Sequence, residues 1–136
     1  RKEAKNIEVV SIVDQQLEHM RIFYFHQGGD KEVFISSADW MPGNLNRRVE
    51  YMLPLENPTV HDQVVDQVMQ ANLLDNEQSW ILGADGEYHR IEAGEGDDHF
   101  NLHHYFMNNP SLSGRGKALR KSQSVPRLKL KRKKKD

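Results

Sequence analysis

Phe34-Ile-Ser-Ser-Ala-Asp-Trp-Met-Pro-Gly-Asn-Leu-Asn-Arg-Arg-Val-Glu50, read with Leu17-Glu-His-Met-Arg-Ile22 before it, decides how this chain is organised. Together the two stretches set a histidine, two adjacent arginines and a glutamate at the ends of short apolar runs. Side chains at strand ends can converge on one pocket while the strands themselves stay buried. The inventory suits a phosphate group. Arginine forks bind phosphoryl oxygens bidentately, and a histidine can donate to phosphorus-bound oxygen or attack phosphorus.

Each of these residues also has a plainer reading. His19 could be a strand-end surface histidine, or a phosphate-facing general acid with Arg21 beside it as a fixed positive charge. If Arg47-Arg-Val-Glu-Tyr-Met-Leu53 is a strand, Arg48 and Glu50 share one face and Arg47 and Val49 the other. That pair is then either an edge-strand contact worth under ~1 kcal/mol, or Arg48 gripping phosphate while Glu50 orients an arginine or a ribose hydroxyl. Ser36-Ser-Ala-Asp-Trp40 is either a turn capped by Asp39 or a small-residue loop that lets phosphate approach backbone N–H groups. No G-x-x-x-x-G-K-[ST] loop occurs anywhere.

The 136 residues allow one modest domain and a tail. A net charge of −1 hides a steep asymmetry. From Ser113 to Asp136 there are 11 Lys/Arg and one acid, a net of +10, whereas residues 1–112 carry 8 Lys/Arg and 19 acids, a net of −11. This describes an acidic body, 1–112, and a basic extension, 113–136, too polar to order itself. With three credible partners for such a tail, nucleic acid, another polyanion or an anionic membrane surface, the lack of interleaved aromatics argues against base stacking. The absence of cysteine excludes disulfides and thiolate chemistry. Apolar runs of about four residues are far short of the ~20 that span a bilayer. A cytoplasmic setting, peripheral to the membrane at most, is the expectation, and the start at Arg1 suggests a piece of something longer.

Along the chain, Ile7–Val13 and Arg21–His26 read as strands. Gly28-Gly29-Asp30 reverses the second into Glu32–Ser36 as an antiparallel hairpin. Ala38–Asn46, with Pro42 and Gly43, is a loop or short helical turn, and a strand over Arg47–Leu53 is stopped by Pro54. Asn57-Pro58 starts a helix with a cap and an N1 proline, its core face formed by Val60, Val64 and Val68 with Val65 and Met69. Ala84-Asp85-Gly86 turns Trp80–Gly83 into Glu87–Ile91. His99–Met107 can form a short amphipathic helix. There His99 and His103, four apart, have a spacing that can chelate a metal, although a solvated face is the favoured reading and no metal site is assigned.

Leu17-Glu-His-Met-Arg-Ile-Phe-Tyr-Phe25, Ile35-Ser-Ser-Ala-Asp-Trp-Met-Pro42 and Asn44-Leu-Asn-Arg-Arg-Val-Glu50 resemble the last catalytic domain of bacterial polyphosphate kinase, the long-chain-synthesising type. The resemblance covers roughly residues 7–107 and leaves the tail outside. It implies an α/β fold related to phospholipase D, with a mixed sheet flanked by helices. It also implies an ATP:polyphosphate phosphotransferase that moves the terminal phosphate of ATP through a phosphohistidine to a polyphosphate chain, reversibly. The phosphorylated histidine, the Mg²⁺-linked arginines and the adenine contacts would belong to upstream domains of the same enzyme. In this chain His19 matches the second, facing histidine, a catalytic and phosphate-binding role. Arg48 and Glu50 match residues lining the nucleotide and phosphate pocket. ATP or ADP and inorganic polyphosphate are then the substrates, the parent enzyme is a homo-oligomer, and these residues alone are inactive.

Departures from the pattern fall at Asp14-Gln15 (usually Gly-Arg), Met20 (Ser or Ala), Gly43 (Arg) and Asn46 (Asp). Two cations are thereby lost, each worth roughly 1.5–3 kcal/mol if it met phosphate directly. The rival in another class is a non-catalytic polyanion-binding module acting through Arg48 and the tail. A phosphodiesterase of the phospholipase D type is disfavoured, because that chemistry wants His-x-Lys and a following aspartate, where this chain has His19-Met-Arg21 and then His26. The kinase expectation requires that His19 and Arg48 face one hollow.

Overall fold

The computed structural model describes residues 6–108, so the basic extension lies outside the described residues. Their order is β1 (Val10–Ile12), β2 (Ile22–Gln27), β3 (Asp30–Ser36), α1 (Pro42–Arg47), β4 (Met52–Pro54), α2 (Pro58–Gln63), a π-wound segment (Val64–Met69), α3 (Gln70–Leu74), β5 (Ser79–Leu82), β6 (Tyr88–Arg90) and α4 (Leu102–Asn108). This is the expected α/β composition. The strands divide between two three-stranded sheets, β1-β5-β6 and β2-β3-β4, and every pairing described is antiparallel. Two compact units follow from the contacts, one of residues 18–65 and one of the described residues on either side.

Unit 18–65 is organised by a hairpin that its own turn dictates. Gly28 and Gly29 take φ of +58° and +103°, so two positive-φ residues close a two-residue loop whose twist matches that of the flanking strands. Register then runs from Gln27↔Asp30 to Ile22↔Ile35. Val33 is buried, and Phe25 meets Phe34 edge-on at 6.0 Å. On the outer side of β3, β4 pairs Ser36↔Met52 through Phe34↔Pro54. Leu55 donates to Val33 O at 2.8 Å, so Pro54 turns its missing donor away from the ladder, as an edge strand permits.

The strand expected over Arg47–Leu53 is shorter than its sequence suggested. Pro42 sits in the first turn of α1 and the helix runs through Arg47, a cation at the negative end of the helix dipole. Arg48 is the C-cap in extended backbone (φ −124°, ψ 155°), and pairing starts only at Met52. The alternation argument for Arg48 and Glu50 therefore has no strand to act on.

Asn57 caps α2 as its sequence demands, its Oδ1 accepting from Thr59 N (3.1 Å) and Val60 N (3.2 Å). The apolar stripe does not continue as expected. π winding between Val64 and Met69 widens each turn to an i→i+5 repeat, and a spacing of four no longer holds one face. Val60 stays 39% exposed, and the buried positions are Val65, Gln67 and Ala71.

In the other unit β5 carries both neighbours. Val10↔Ile81 to Ile12↔Ser79 ties it to β1, and Trp80↔Arg90 to Leu82↔Tyr88 ties it to β6. β1 is three residues, shorter than the run Ile7–Val13. Gly86 N donates to Gly83 O (3.0 Å) with Gly86 at φ +87°, so the turn through Ala84 and Asp85 is closed by a positive-φ glycine and the loop holds three residues rather than two. Asp75, buried at the end of α3, accepts from Gln78 N (2.8 Å), Ser79 Oγ (2.9 Å) and Leu102 N (2.8 Å). One carboxylate thus ties α3, β5 and α4 together. Asn76 adds Phe100 N→Oδ1 (2.8 Å) and its own N→Phe100 O (3.1 Å).

Candidate functional site

The hairpin geometry brings three chain segments to one end of the sheet in unit 18–65. Because Ile22 pairs with Ile35, the residues before β2 meet those after β3, and Ser36 N donates to Arg21 O at 2.9 Å. Because Ser36 pairs with Met52, the residues before β4 join them. Segments 18–21, 36–41 and 48–51 hence converge there.

What binds them is polar and specific. Arg21 forks Asp39, Nε to Oδ1 at 2.5 Å and Nη2 to Oδ2 at 3.1 Å. That hydrogen bond is the main reason the Asp39 carboxyl lies below the usual carboxylate range, partial burial opposing it, with Asn44 and the charge of His19 as lesser contributions in the same direction. Arg21 is raised in turn, chiefly by Asp39, with the charge of Glu50 among the smaller causes. Ser37 Oγ donates to Glu50 Oε2 and accepts from Tyr51 N (3.1 Å), while Ser36 Oγ donates to Tyr51 O (3.1 Å) and accepts from Ala38 N (3.0 Å).

Beside this network lies a hollow of about 310 Å³ lined mainly by apolar side chains, Phe23, Trp40, Tyr51 and Met52 among them, with Asp39 and Glu50 as its acids. Phe23 and Trp40 pack with ring centroids 5.8 Å apart. Of the residues singled out from sequence, Glu50 lines the hollow. His19 and Arg48 are exposed and are not among its lining residues. His19 lies in a stretch without regular structure, within electrostatic range of Asp39. The two serines have structural work to do, since the Ala38 N–H that a phosphate could have used is already bonded to Ser36 Oγ. Asp39 and Glu50 do not fit a Mg²⁺ site, one being tied to a guanidinium and the other to a hydroxyl.

Asp39 as Arg21's partner went unread in the sequence. They are 18 residues apart, and only the hairpin register brings them together. In the second unit His103 Nδ1 and Asp14 Oδ2 are 2.8 Å apart, largely buried, and His99 precedes α4, 3.6 Å from Glu77. The four-residue histidine spacing therefore does not form a helical chelate. Asp85, Glu87 and His89 do gather, with ligand-type atoms within 4.8 Å of one another on the exposed β5–β6 hairpin. Their i, i+2, i+4 spacing was the available sequence signal.

Comparison with known proteins gives a consistent result. The family model described as polyphosphate kinase C-terminal domain 2 matches residues 1–102. A polyphosphate kinase of Erythrobacter litoralis is 55% identical over 132 residues, covering 93% of this chain and 18% of that protein. A polyphosphate kinase of Rhodopirellula baltica is 49% identical over 89 residues, covering 65% of this chain and 10% of that protein. The crystal structure of polyphosphate kinase from Porphyromonas gingivalis superposes with a TM-score of 0.71 at 33% identity, over 77% of this chain and 16% of that one. The chain thus spans less than a fifth of the length of these relatives.

Proposed function

Because the chain belongs to the polyphosphate kinase family, as its C-terminal domain 2, we propose that residues 1–112 act within an ATP:polyphosphate phosphotransferase. The match over 1–102 carries this reading. In it, a phosphoryl group leaves ATP, is held on a histidine of another domain, and passes to the terminal oxygen of polyphosphate. Each transfer breaks one bond to phosphorus and forms one. Such steps need positioning and charge neutralisation around the transferred group more than covalent chemistry from the protein.

His19 is assigned the role of facing the transferred phosphate and hydrogen-bonding its oxygens, or the leaving oxygen, as charge develops. Arg48, exposed at the end of α1, supplies a guanidinium to phosphate. Glu50, bonded to Ser37, forms part of the wall of the apolar hollow, which neither His19 nor Arg48 lines. Mg²⁺, held by ligands in other domains, would neutralise phosphate charge. A cytoplasmic enzyme assembled from several copies is part of the same reading. Among the described residues no helix is long and apolar enough to cross a membrane.

The test joins this chain to the other domains its relatives carry and replaces His19→Ala. ATP-dependent polyphosphate synthesis should fall by at least 10²-fold, on the scale of a lost proton-transfer or oxyanion partner. Unchanged synthesis would remove His19 from the chemistry. The charge of the extension favours a second reading, in which the chain binds polyanions without chemistry. Deleting Ser113–Asp136 should then weaken polyphosphate binding and flatten its salt dependence, and no change in either would refute it.

A further inference from the structure

We propose that the Arg21–Asp39 fork is the device that places His19, making Arg21 a positioning residue rather than a phosphate ligand. The inference deepens the reading above and rests on it for the role of His19.

Segment Leu17–Arg21 has no strand or helix to hold it. At its C-terminal end it has two ties: Arg21 O, which accepts from Ser36 N (2.9 Å), and the Arg21 side chain, clamped on Asp39 through two atoms. The far side of the clamp is itself braced. Asp39 O accepts from Met41 N (2.8 Å), Ala38 N is bonded to Ser36 Oγ (3.0 Å), and Ser37 is bonded to Glu50. A planar fork with two bonds fixes orientation as well as distance, which a single ammonium contact cannot do. His19 lies two residues from this anchor.

The same geometry argues against a direct role for Arg21. The Nε/Nη2 edge of its guanidinium is spent on a carboxylate, which leaves only the outer Nη1/Nη2 edge for any other group. Paired with Asp39, it also contributes little net positive charge, whereas Arg47 and Arg48 are both exposed at the end of α1.

The experiment has two arms. In the 136-residue chain, amide hydrogen exchange at Ser36, Ala38 and Met41, whose N–H groups bond Arg21 O, Ser36 Oγ and Asp39 O, should quicken roughly tenfold in Asp39→Asn and Arg21→Lys. The reciprocal double substitution, R21D with D39R, should restore it. In a chimera where this chain replaces the matching segment of the Erythrobacter litoralis relative, each single variant should lower kcat on the order of 10²-fold. The KM for ATP should change little, as expected when geometry at the reacting centre is lost, and the double substitution should regain most of kcat.

Arg21→Lys keeps the charge and loses the fork, so near-normal kcat in that variant would overturn the proposal. Restored exchange protection without recovered kcat would also overturn it, since Arg21 would then be acting on phosphate itself. Unchanged exchange on breaking the fork overturns it whatever the chimera does. His19→Ala is the control: if it is silent while exchange responds as stated, the functional reading fails and the anchor stands.

Discussion

Replacing Asp75→Ala should remove the keystone of the β1-β5-β6 unit. The carboxylate is 4% exposed and accepts three hydrogen bonds, two of them from donors on residues about 1% exposed, Ser79 and Leu102. Alanine leaves the Ser79 hydroxyl and the Leu102 N–H without a partner and without room to bond bulk water. Each such buried donor costs about 1–3 kcal/mol, so the two together cost about 2–6 kcal/mol, with the half-exposed Gln78 N–H adding little. Against a typical domain stability of about 5–15 kcal/mol, that is enough to bring the unit near its unfolding midpoint. Asp75→Asn separates the causes. Its remaining oxygen can keep the Gln78 and Ser79 bonds, while its NH₂ meets the Leu102 N–H donor to donor, so the loss should be intermediate. The assay is urea unfolding followed by Trp80 on β5, in a Trp40→Phe background that leaves it the lone tryptophan. An Asp75→Ala midpoint equivalent to less than about 0.5 kcal/mol of change, the scale of an ordinary surface substitution, would show that α4 and β5 are held by something other than this carboxylate.

Asp14→Asn should flatten the acid limb of stability. His103 hydrogen-bonds the carboxylate and, foremost among its causes, lowers its pKa below the ordinary 3.8. A depressed acid contributes in full above the unfolded value and loses that contribution as pH falls through the lower folded value. Urea midpoints of the native chain and the variant should therefore differ in full above pH 3.8 and converge as pH falls from there through the lower folded value, and parallel curves would refute the link. Gly29→Ala should cost more than Gly28→Asn, because φ of +103° lies outside the left-handed well that asparagine tolerates and +58° lies within it. Thermal unfolding should show a loss of at least about 1 kcal/mol for the first and a few tenths for the second; equal effects would refute the turn assignment.

What could be read from residues alone was local. A Gly-Gly pair that must turn, an Asn-Pro that must start a helix and an Asp-Gly beside a hairpin each act through backbone preferences of a few neighbouring residues, and each is where the sequence placed it. The meeting of 18–21 with 36–41 was also within reach, because a two-residue turn sets the register of everything along the hairpin, whereas 48–51 joins them only through the β3–β4 pairing. Harder was the run from Arg47, where α1, started by Pro42, takes Arg47 as its last residue and leaves 48–51 outside any strand, so that pairing begins only at Met52. The valine stripe failed for a related reason: a fixed spacing marks one face only while the winding is constant, and the π segment changes it.

Tertiary structure alone decided the choice of partners across distance. β1 finds β5 rather than its neighbour β2, Asp14 finds His103, and Arg21 finds Asp39. No propensity within a short window encodes such pairings, since their free energy comes from desolvation and geometry that exist only once the chain has closed on itself. The same limit applies to the site. Its residue types were visible in the linear chain, but whether an arginine meets a phosphate or a carboxylate is settled by what folding sets beside it.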